Sequence, residues 1–213
     1  MKVFIAIPSY TGTIAAECML SVVGLMEVLN SELGVKSTLA IHSYNGNVAD
    51  ARNRLCQGFL ETNCTHLLFI DDDMQFVPEE IARMFKSYEA GEFGLGVVAA
   101  LCPRKNTFGR AIEYNLYHPP TDESLYGTNT FISVDRVGTG IMVIPRQVLT
   151  TTGLRVIHRL RDGMPQYFLT KSGEVDVSED FYFCDHLKQC GVPLFLALWT
   201  NVKHIGRYAF GGF

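Results

Sequence analysis

Three consecutive aspartates, Asp71, Asp72 and Asp73, end the apolar run in "LLFIDDDMQF". Side chains alternate in an extended chain, so we expect Asp71 and Asp73 on one side and Asp72 on the other. Two carboxylates at the end of a strand repel each other unless a hard divalent cation lies between them. Such a cation usually keeps positions open for substrate phosphates. The spacing therefore favours metal and phosphate chemistry, with a solvated turn as the alternative.

Helix capping does not explain these acids. The next helix is predicted to begin at Pro78, a favoured first helical residue, with Glu79 and Glu80 in its first turn. The aspartates end five residues before Pro78, which is too far for an N-cap.

Polar residues also follow the other predicted strands. Pro8, Ser9 and Tyr10 follow "KVFIAIP", and Asn45 follows "STLAIHSY". Each fits an ordinary turn, or a ligand contact at the carboxyl end of a strand. Arg52, on the second predicted helix, fits a solvated side chain, or one that reaches a diphosphate or orients an aspartate.

The later candidates have equally simple alternatives. In "SEDFYFCDHLKQCG", Ser178 can cap a helix, and Glu179 and Asp180 then favour the helix dipole. Arg104 and Lys105, after the fourth strand, either neutralise phosphate or lie in a solvated loop. A lone histidine such as His204 is usually a surface residue.

The elements that position these residues alternate between strand and helix, which predicts an α/β fold with a mainly parallel central sheet flanked by helices. The predicted strands of the first half are "KVFIAIP", "STLAIHSY", "HLLFID" and "LGVVAALC", with helices at about 12–33, 47–63 and 78–89. In the second half we predict a loop over 103–131, then a strand, Gly turn and strand in "ISVDRVGTGIMVIPR". A helix from Ser178 to Gly191, the strand "VPLFLALWT" and a Gly- and aromatic-rich tail follow.

Composition limits the classes of function. The 213 residues are 47% hydrophobic and 19% charged, which suits one domain with a real core. A net charge of -4 argues against general nucleic-acid binding. The six cysteines form no C-x-x-C pair and predict reduced thiols in a cytoplasmic protein. Glu17 and Glu27 interrupt the apolar segment 13–29, so we expect no transmembrane segment.

Together the segments resemble the GT-A-fold glycosyltransferases of the family 2 type, whose D-x-D motif Asp71-Asp72-Asp73 matches. The resemblance covers nearly the whole chain. Further matching segments, in the family's order, are "IAIPSY", "ADARNRL", "VGTGIMVIPR", "SEDFYFCDHLKQCG" and "KHIG". The chain is also similar to small glycosyltransferase domains encoded by large chlorella viruses, which would place it in the host cytoplasm. No Q-x-x-R-W follows the late helix, which argues against a cellulose- or chitin-type synthase.

The resemblance implies a single domain with a nucleotide-binding half, 1–101, and an acceptor and sugar-binding half, 102–213. It implies transfer of a hexose, glucose- or rhamnose-like, from a UDP-sugar to a hydroxyl of a glycan or glycoprotein, with Mn²⁺ or Mg²⁺ as cofactor. The chain stops at Phe213 without an obvious terminal element, which is compatible with fusion to further domains.

The resemblance also implies roles for the candidate residues. Donor contacts are assigned to Pro8, Ser9, Tyr10, Asn45, Arg52, Asp71, Asp72 and Lys105, and metal ligation to Asp71, Asp73 and His204. A histidine ligand favours Mn²⁺ over Mg²⁺. The catalytic residues are Glu179 and Asp180, with Asp180 as general base if the enzyme inverts configuration and as a sugar contact if it retains it.

Two other functions remain open at this stage. A sugar nucleotidyltransferase needs a Gly-rich loop after the first strand, and "IPSYTGT" lacks one. A nucleotide-sugar- or carbohydrate-binding module without catalysis is the non-enzymatic alternative, although it leaves the acidic motifs unexplained. A haloacid-dehalogenase-like phosphatase needs its D-x-D on the first strand, whereas this one follows the third.

Overall fold

Strands and helices alternate along the computed structural model, which describes residues 1–43, 46–105, 114–117, 122–151, 165–172, 176–206 and 209–211. The strands within these ranges are β1 Lys2–Ser9, β2 Lys36–Ser43, β3 His66–Ile70, β4 Met74–Phe76, β5 Val97–Ala100, β6 Phe131–Ser133, β7 Ile141–Pro145, β8 Leu194–Ala197, β9 Val202–Ile205 and β10 Ala209–Gly211. The α-helices are α1 Ala16–Leu33, α2 Val48–Leu60, α3 Pro78–Glu89, α4 Arg146–Thr151 and α5 Glu179–Gln189.

The central sheet has seven strands in the order β2-β1-β3-β7-β5-β8-β6. β1 pairs in parallel with β2 and β3, and β5 pairs in parallel with β8. Only β7 and β6 run against this direction. The carboxyl ends of the other five strands therefore lie at one edge, where ligands bind in sheets of this kind. The predicted α/β class with a mainly parallel sheet is confirmed.

Alternation along β1 shows why the strands are apolar throughout. Val3, Ile5 and Ile7 belong to a buried cluster with residues of α1 and α3. Phe4 and Ala6 face the opposite cluster, which contains residues of α2 and α5. Both faces of the sheet are covered by helices, so consecutive strand residues are all buried.

Several helix ends follow the predicted signals. Asn47 caps α2 by accepting a hydrogen bond from the backbone N–H of Asp50 at 3.2 Å. Gly191 follows α5 with a φ of 69°, a left-handed conformation that glycine adopts without strain. Helix α1 begins at Ala16, four residues later than predicted. No helix in the described part of the chain is long and apolar enough to cross a membrane.

A second sheet, in the order β10-β9-β4, was not predicted. Its strands are three or four residues long and pair antiparallel. β9 pairs with its sequence neighbour β10 and with the distant β4, which places Met74 opposite His204. Part of the tail that we described only by composition thus returns to the residues that follow the three aspartates. Of the predicted 103–131 loop, residues 106–113 and 118–121 lie outside the described ranges.

Arg146, the last residue of "VGTGIMVIPR", stabilises the end of α2. Its guanidinium donates hydrogen bonds to the backbone carbonyls of Phe59, Leu60, Thr62 and Cys64, at 2.6 to 3.3 Å. It also lies 4.5 Å from the centroid of the Phe59 ring. Carbonyls at a helix C-terminus lack partners within the helix, and this one side chain supplies a charged donor to several carbonyls there.

His66 begins β3 and is partly buried beside aromatic rings. Its ring centroid is 4.9 Å from that of Tyr88 and 6.2 Å from that of Phe85. Burial, together with the positive N-terminal amino group, lowers the pKa of His66 from 6.5 to about 4. The folded protein therefore keeps this imidazole neutral in mildly acidic solution.

We expect Arg146→Met to lower the free energy of unfolding by about 2–4 kcal/mol, because it leaves several partly buried carbonyls without their charged donor. The matched control is Arg54→Met, which removes a partly exposed ion pair with Asp50 and should cost at most about 1 kcal/mol. Urea denaturation of both variants measures the difference. Equal losses would contradict the capping role.

We also expect the stability to fall as the pH drops from about 6.5 to about 4, since the unfolded chain binds a proton at His66 that the folded chain excludes. This one group accounts for at most about 3 kcal/mol. The His66→Gln variant should lose less stability over the same interval in thermal unfolding at stepwise pH. Parallel pH curves for the two proteins would show that His66 does not contribute.

Candidate active site

The three aspartates form a turn at the carboxyl end of β3. The backbone N–H of Met74 donates to the carbonyl of Asp71 at 3.2 Å, so the segment is not extended, and the alternation that we expected for it is wrong. The turn is held by three further backbone hydrogen bonds. They join Asp71 N–H to Gly140 O at 2.8 Å, Ala15 N–H to Asp72 O at 2.9 Å and Ile205 N–H to Asp73 O at 2.7 Å.

Arg52 is buried at the centre of the acidic residues, with a relative exposure of 2%. Its Nη2 lies 2.9 Å from Asp71 Oδ1, and its Nη1 lies 2.5 Å from Glu179 Oε1 and 3.1 Å from Asp180 Oδ1. The burial of Arg52 therefore excludes the solvated side chain that the sequence allowed. Its contacts with Asp71 and Asp180 agree with the alternative in which it orients an aspartate.

The start of α5 carries both of the features that the sequence left in competition. The Ser178 hydroxyl caps the helix by accepting from Phe181 N–H at 3.4 Å. Glu179 and Asp180 lie in the first turn and also contact Arg52. The helix thus has its cap, and its first two acids are directed to the neighbouring arginine.

Burial and crowding change the proton affinities of these acids. Burial raises the pKa of Asp71 to about 6, the charge of Arg52 opposes the rise, and Asp180 and Asp73 add to it. Burial, followed by the charge of Asp180, also raises the pKa of Glu179 against the effect of Arg52. One guanidinium therefore only partly offsets the three carboxylates around it.

Asp73 lies in a different set of contacts. Its Oδ2 contacts Lys105 Nζ, and its Oδ1 lies 3.1 Å from His204 Nε2. Burial raises the pKa of Asp73, but hydrogen bonds from His204 and Lys105 outweigh burial and hold the pKa below its ordinary value. Asp73 is thus the carboxylate of the turn that is best suited to remain ionised.

His204 is oriented by the loop after β5. Its Nδ1 lies 3.0 Å from the carbonyl oxygen of Pro103, which can only accept, so Nδ1 carries a proton. In a neutral ring Nε2 then has only a lone pair to present to Asp73. A second proton on Nε2 makes the hydrogen bond to Asp73 described above, and a cation would join the same two atoms in place of that proton. A backbone carbonyl behind the ring is the usual support of a metal-ligating histidine.

The predicted metal set is assembled only in part. Within the described ranges, no group of three or more His, Cys, Asp or Glu side chains is arranged to hold a metal ion. Asp73 and His204 are in contact, whereas Asp71 is bound to Arg52. The structure therefore brings Asp73 and His204 together and pairs Asp71 with Arg52, and the ligand set of Asp71, Asp73 and His204 stays a prediction. The pair of Asp73 and His204 fits a cation that substrate phosphates also bind.

Two cavities meet at this cluster. The larger has a volume of about 450 Å³ and the smaller about 190 Å³. The smaller is lined by Pro8, Ser9, Tyr10, Val48, Ala51, Asp71, Asp72, Asp73 and His204. The larger is lined by Asp71, Met74, Cys102, Pro103, Arg104, Lys105, Asn115, Gly140, Asp176, Ser178, Asp180, Phe181 and His204. Asp71 and His204 line both, so the two cavities share a wall at the acidic turn.

The predicted donor residues fall mainly on the smaller cavity. Pro8 and Ser9 end β1, and the ring of Tyr10 is 71% exposed at the cavity mouth. The Ser9 hydroxyl accepts from Gly12 N–H at 3.2 Å and donates to Thr13 O at 2.9 Å, which closes the loop after β1. Burial raises the pKa of Asp72, which lies beside Ser9. Asn45 lies outside the described residues.

We did not single out Thr139, yet it is fully buried and donates to Asp180 Oδ1 at 2.6 Å. A side chain at its neighbour Gly138 would require Asn115 to move, since a Cβ there would lie 1.9 Å from Asn115 Nδ2. The quoted "VGTG" was the only signal for this residue, and Asn115 gave none. Because β7 runs antiparallel, Thr139 lies at the site and Arg146 at the opposite edge of the sheet.

Comparisons with known proteins support the fold and no more. No family model and no curated protein matches the sequence. The crystal structure of GalNAc-T7 with UDP, GalNAc and Mn²⁺ is similar over 97% of this chain and 43% of that one, with 14% identity and a TM-score of 0.57. This chain thus spans less than half of that protein.

Two weaker similarities have a TM-score of 0.49 and 13% identity. They are S. aureus TarS, over 99% of this chain and 36% of that one, and a putative glucose-1-phosphate thymidylyltransferase from Bacillus anthracis, over 96% and 89%. The topology, together with the likeness to GalNAc-T7, shows that the chain has the GT-A fold, a mixed α/β fold with a mostly parallel sheet flanked by helices.

Proposed function

We propose that this protein is a metal-dependent glycosyltransferase that moves a hexose from a UDP-sugar to a hydroxyl of a glycan or glycoprotein. The observation that carries the proposal is the wall shared by the two cavities, where Asp71 and His204 lie beside Asp73 and Lys105. A donor in one cavity and an acceptor in the other would meet at this wall. The expected Mn²⁺, or Mg²⁺, bound there supplies charge stabilisation for a leaving diphosphate.

The smaller cavity is assigned to the nucleoside. The exposed ring of Tyr10 offers a surface on which a base can stack, and Asp72 lies deeper beside Ser9. A carboxylate at this depth accepts hydrogen bonds from ribose hydroxyls, because it has no proton of its own to donate. We retain Asn45 as a candidate base contact from the sequence.

The wall itself is assigned to the diphosphate. Asp73 and His204 are the protein ligands for the cation, and Lys105 supplies a positive charge at the same place. Arg104 lines the larger cavity next to it and adds a second basic side chain. Arg52 acts through Asp71, Glu179 and Asp180, because its guanidinium is buried among them and does not line either cavity.

The larger cavity is assigned to the acceptor, with Asp180 as its general base. Thr139 and Arg52 both contact Oδ1 of Asp180, so Oδ2 is the oxygen that we assign to the proton of the acceptor hydroxyl. Glu179 has its carboxylate against Arg52 and is assigned to holding that arginine in place. The smaller cavity is lined mainly by residues of the proposed nucleotide half, 1–101, while the proposed acceptor half, 102–213, also supplies His204 to it.

Two features favour sugar transfer over nucleotidyl transfer. The loop after β1 is closed by the side chains of Ser9 and Thr13 and does not form a Gly-rich phosphate cradle. A partly buried carboxylate positioned by Thr139 suits the removal of a hydroxyl proton. A glucose- or rhamnose-like hexose, a host-cytoplasmic location and a viral origin stay predictions from the sequence resemblance.

Asp73→Asn should weaken Mn²⁺-dependent binding of UDP by at least tenfold, roughly the loss that follows from disturbing a metal's coordination shell. Calorimetry with UDP, with and without Mn²⁺, measures the effect. The matched control is Asp135→Asn, which breaks an exposed ion pair with Lys188 and should leave UDP binding unchanged. Unaltered affinity in Asp73→Asn would refute the assignment of Asp73.

The wild-type protein should release UDP from at least one UDP-sugar in the presence of Mn²⁺ and an acceptor, and Asp180→Asn should lower kcat by about 10²–10⁴-fold. Asp185→Asn, on the same helix, breaks a pair with Arg136 and serves as the control. A rise in KM with kcat unchanged would make Asp180 a sugar contact. Tight UDP-sugar binding with no release from any sugar tested would favour the binding module.

A further inference from the structure

Lys105 occupies a position beside Asp73 where a bound cation is expected. Its ammonium contacts Oδ2 of Asp73, while Oδ1 faces His204. Both oxygens of the carboxylate therefore have a partner within the chain. The Lys105 side chain is 43% exposed, so it reaches this position from the cavity side and can leave it toward solvent.

The segment that carries Lys105 also supports the second metal ligand. Pro103, two residues earlier, accepts the hydrogen bond from Nδ1 of His204 and thereby directs Nε2 toward Asp73. The same short segment thus orients one ligand through its backbone and covers the other with a side chain. Pro103, Arg104 and Lys105 all line the larger cavity, next to the wall assigned to the diphosphate.

We infer that Lys105 neutralises Asp73 in the empty site and competes with the divalent cation for it, then pairs with the phosphates of the donor once the cation has displaced it. The inference rests on the proposed function and concerns how the binding of the metal ion depends on the binding of the nucleotide. It makes Lys105 a built-in counter-ion that weakens metal binding until nucleotide is also present.

The electrostatics of the site favour replacement of Lys105 by the cation over simultaneous binding of both to Asp73. A lysine ammonium and a divalent cation on one carboxylate repel each other at short range, and only the lysine, on its flexible stem, can move away. A half-exposed ion pair contributes little to stability, so releasing Lys105 costs little. A donor diphosphate bound at the wall would offer new negative charge to the released ammonium, because Lys105 lines the larger cavity there.

This exchange predicts that metal and nucleotide bind cooperatively. In the wild type, bound UDP holds Lys105 away from Asp73 and so raises the affinity for Mn²⁺. By reciprocity, Mn²⁺ raises the affinity for UDP by the same factor. When the ammonium is removed, Mn²⁺ meets no competitor in the empty site, and this part of the coupling disappears.

The test is a titration of the full chain with Mn²⁺, in which electron paramagnetic resonance measures the free ion, with and without UDP. Without UDP, Lys105→Met should bind Mn²⁺ about tenfold more tightly than the wild type, because a competing charge has gone. Lys105→Arg keeps the charge and should bind as weakly as the wild type. Lys86→Met, which removes a half-exposed lysine that pairs with Glu32 and lines neither cavity, should change the affinity by no more than about twofold.

The outcomes separate the inference from the proposed function. Equal or weaker Mn²⁺ binding by Lys105→Met, with UDP-dependent Mn²⁺ binding retained in the wild type, would overturn the inference alone. No Mn²⁺ binding by any variant, even with UDP, would overturn the metal dependence itself and leave Lys105 as the permanent cation of the site. Lys105→Gln repeats the test with a polar side chain, and thermal unfolding verifies that each variant is folded.

Discussion

The buried guanidinium of Arg52 is the contact on which the arrangement of the site depends. It joins the end of β3, through Asp71, to the first turn of α5, through Glu179 and Asp180. Burying any of these charges alone would be unfavourable, whereas burying them together leaves each with a partner. Arg52 Nε is buried and has no hydrogen-bond partner among the described residues. The position of the side chain therefore satisfies its two terminal nitrogens and leaves Nε unpaired. Removing the arginine would leave three carboxylates facing one another.

The topology explains how such distant residues meet. Parallel strands bring the ends of β1 and β3 to one edge of the sheet, but they cannot by themselves supply Thr139, which precedes a strand. The antiparallel insertion of β7 solves this, because its beginning lies where its neighbours end. The small second sheet then pairs Met74 with His204 and carries the histidine to the acidic turn. Two departures from a purely parallel sheet thus complete the site.

Much of this could be predicted from sequence, for physical reasons that differ between residues. Apolar runs and local caps such as Asn47 and Pro78 depend on nearby residues, so the strands of the central sheet and helices α2 and α3 were predicted closely. The conformation predicted for Asp71 to Asp73 was wrong. The turn that they form is held by a backbone hydrogen bond to Gly140, so it depends on a segment far along the chain. The pairing of β4 with β9 was not predicted for the same reason. Both strands are short, and neither has a strong hydrophobic pattern of its own. Thr139 was missed because a threonine between two glycines is typical of a turn, and its burial is not visible in the sequence.

The balance of charge connects fold and function. Around the shared wall, Asp71, Asp72, Asp73, Glu179 and Asp180 face Arg52, Arg104 and Lys105, so acids outnumber the basic side chains that line or border the cavities. An anionic diphosphate entering such a site is repelled unless positive charge enters with it or moves toward it. Arg52 cannot move, because it is buried and holds the carboxylates together. Under the proposed function, a bound cation and Lys105 would supply the mobile positive charge, and a nucleotide is expected to bind here as a complex with its metal.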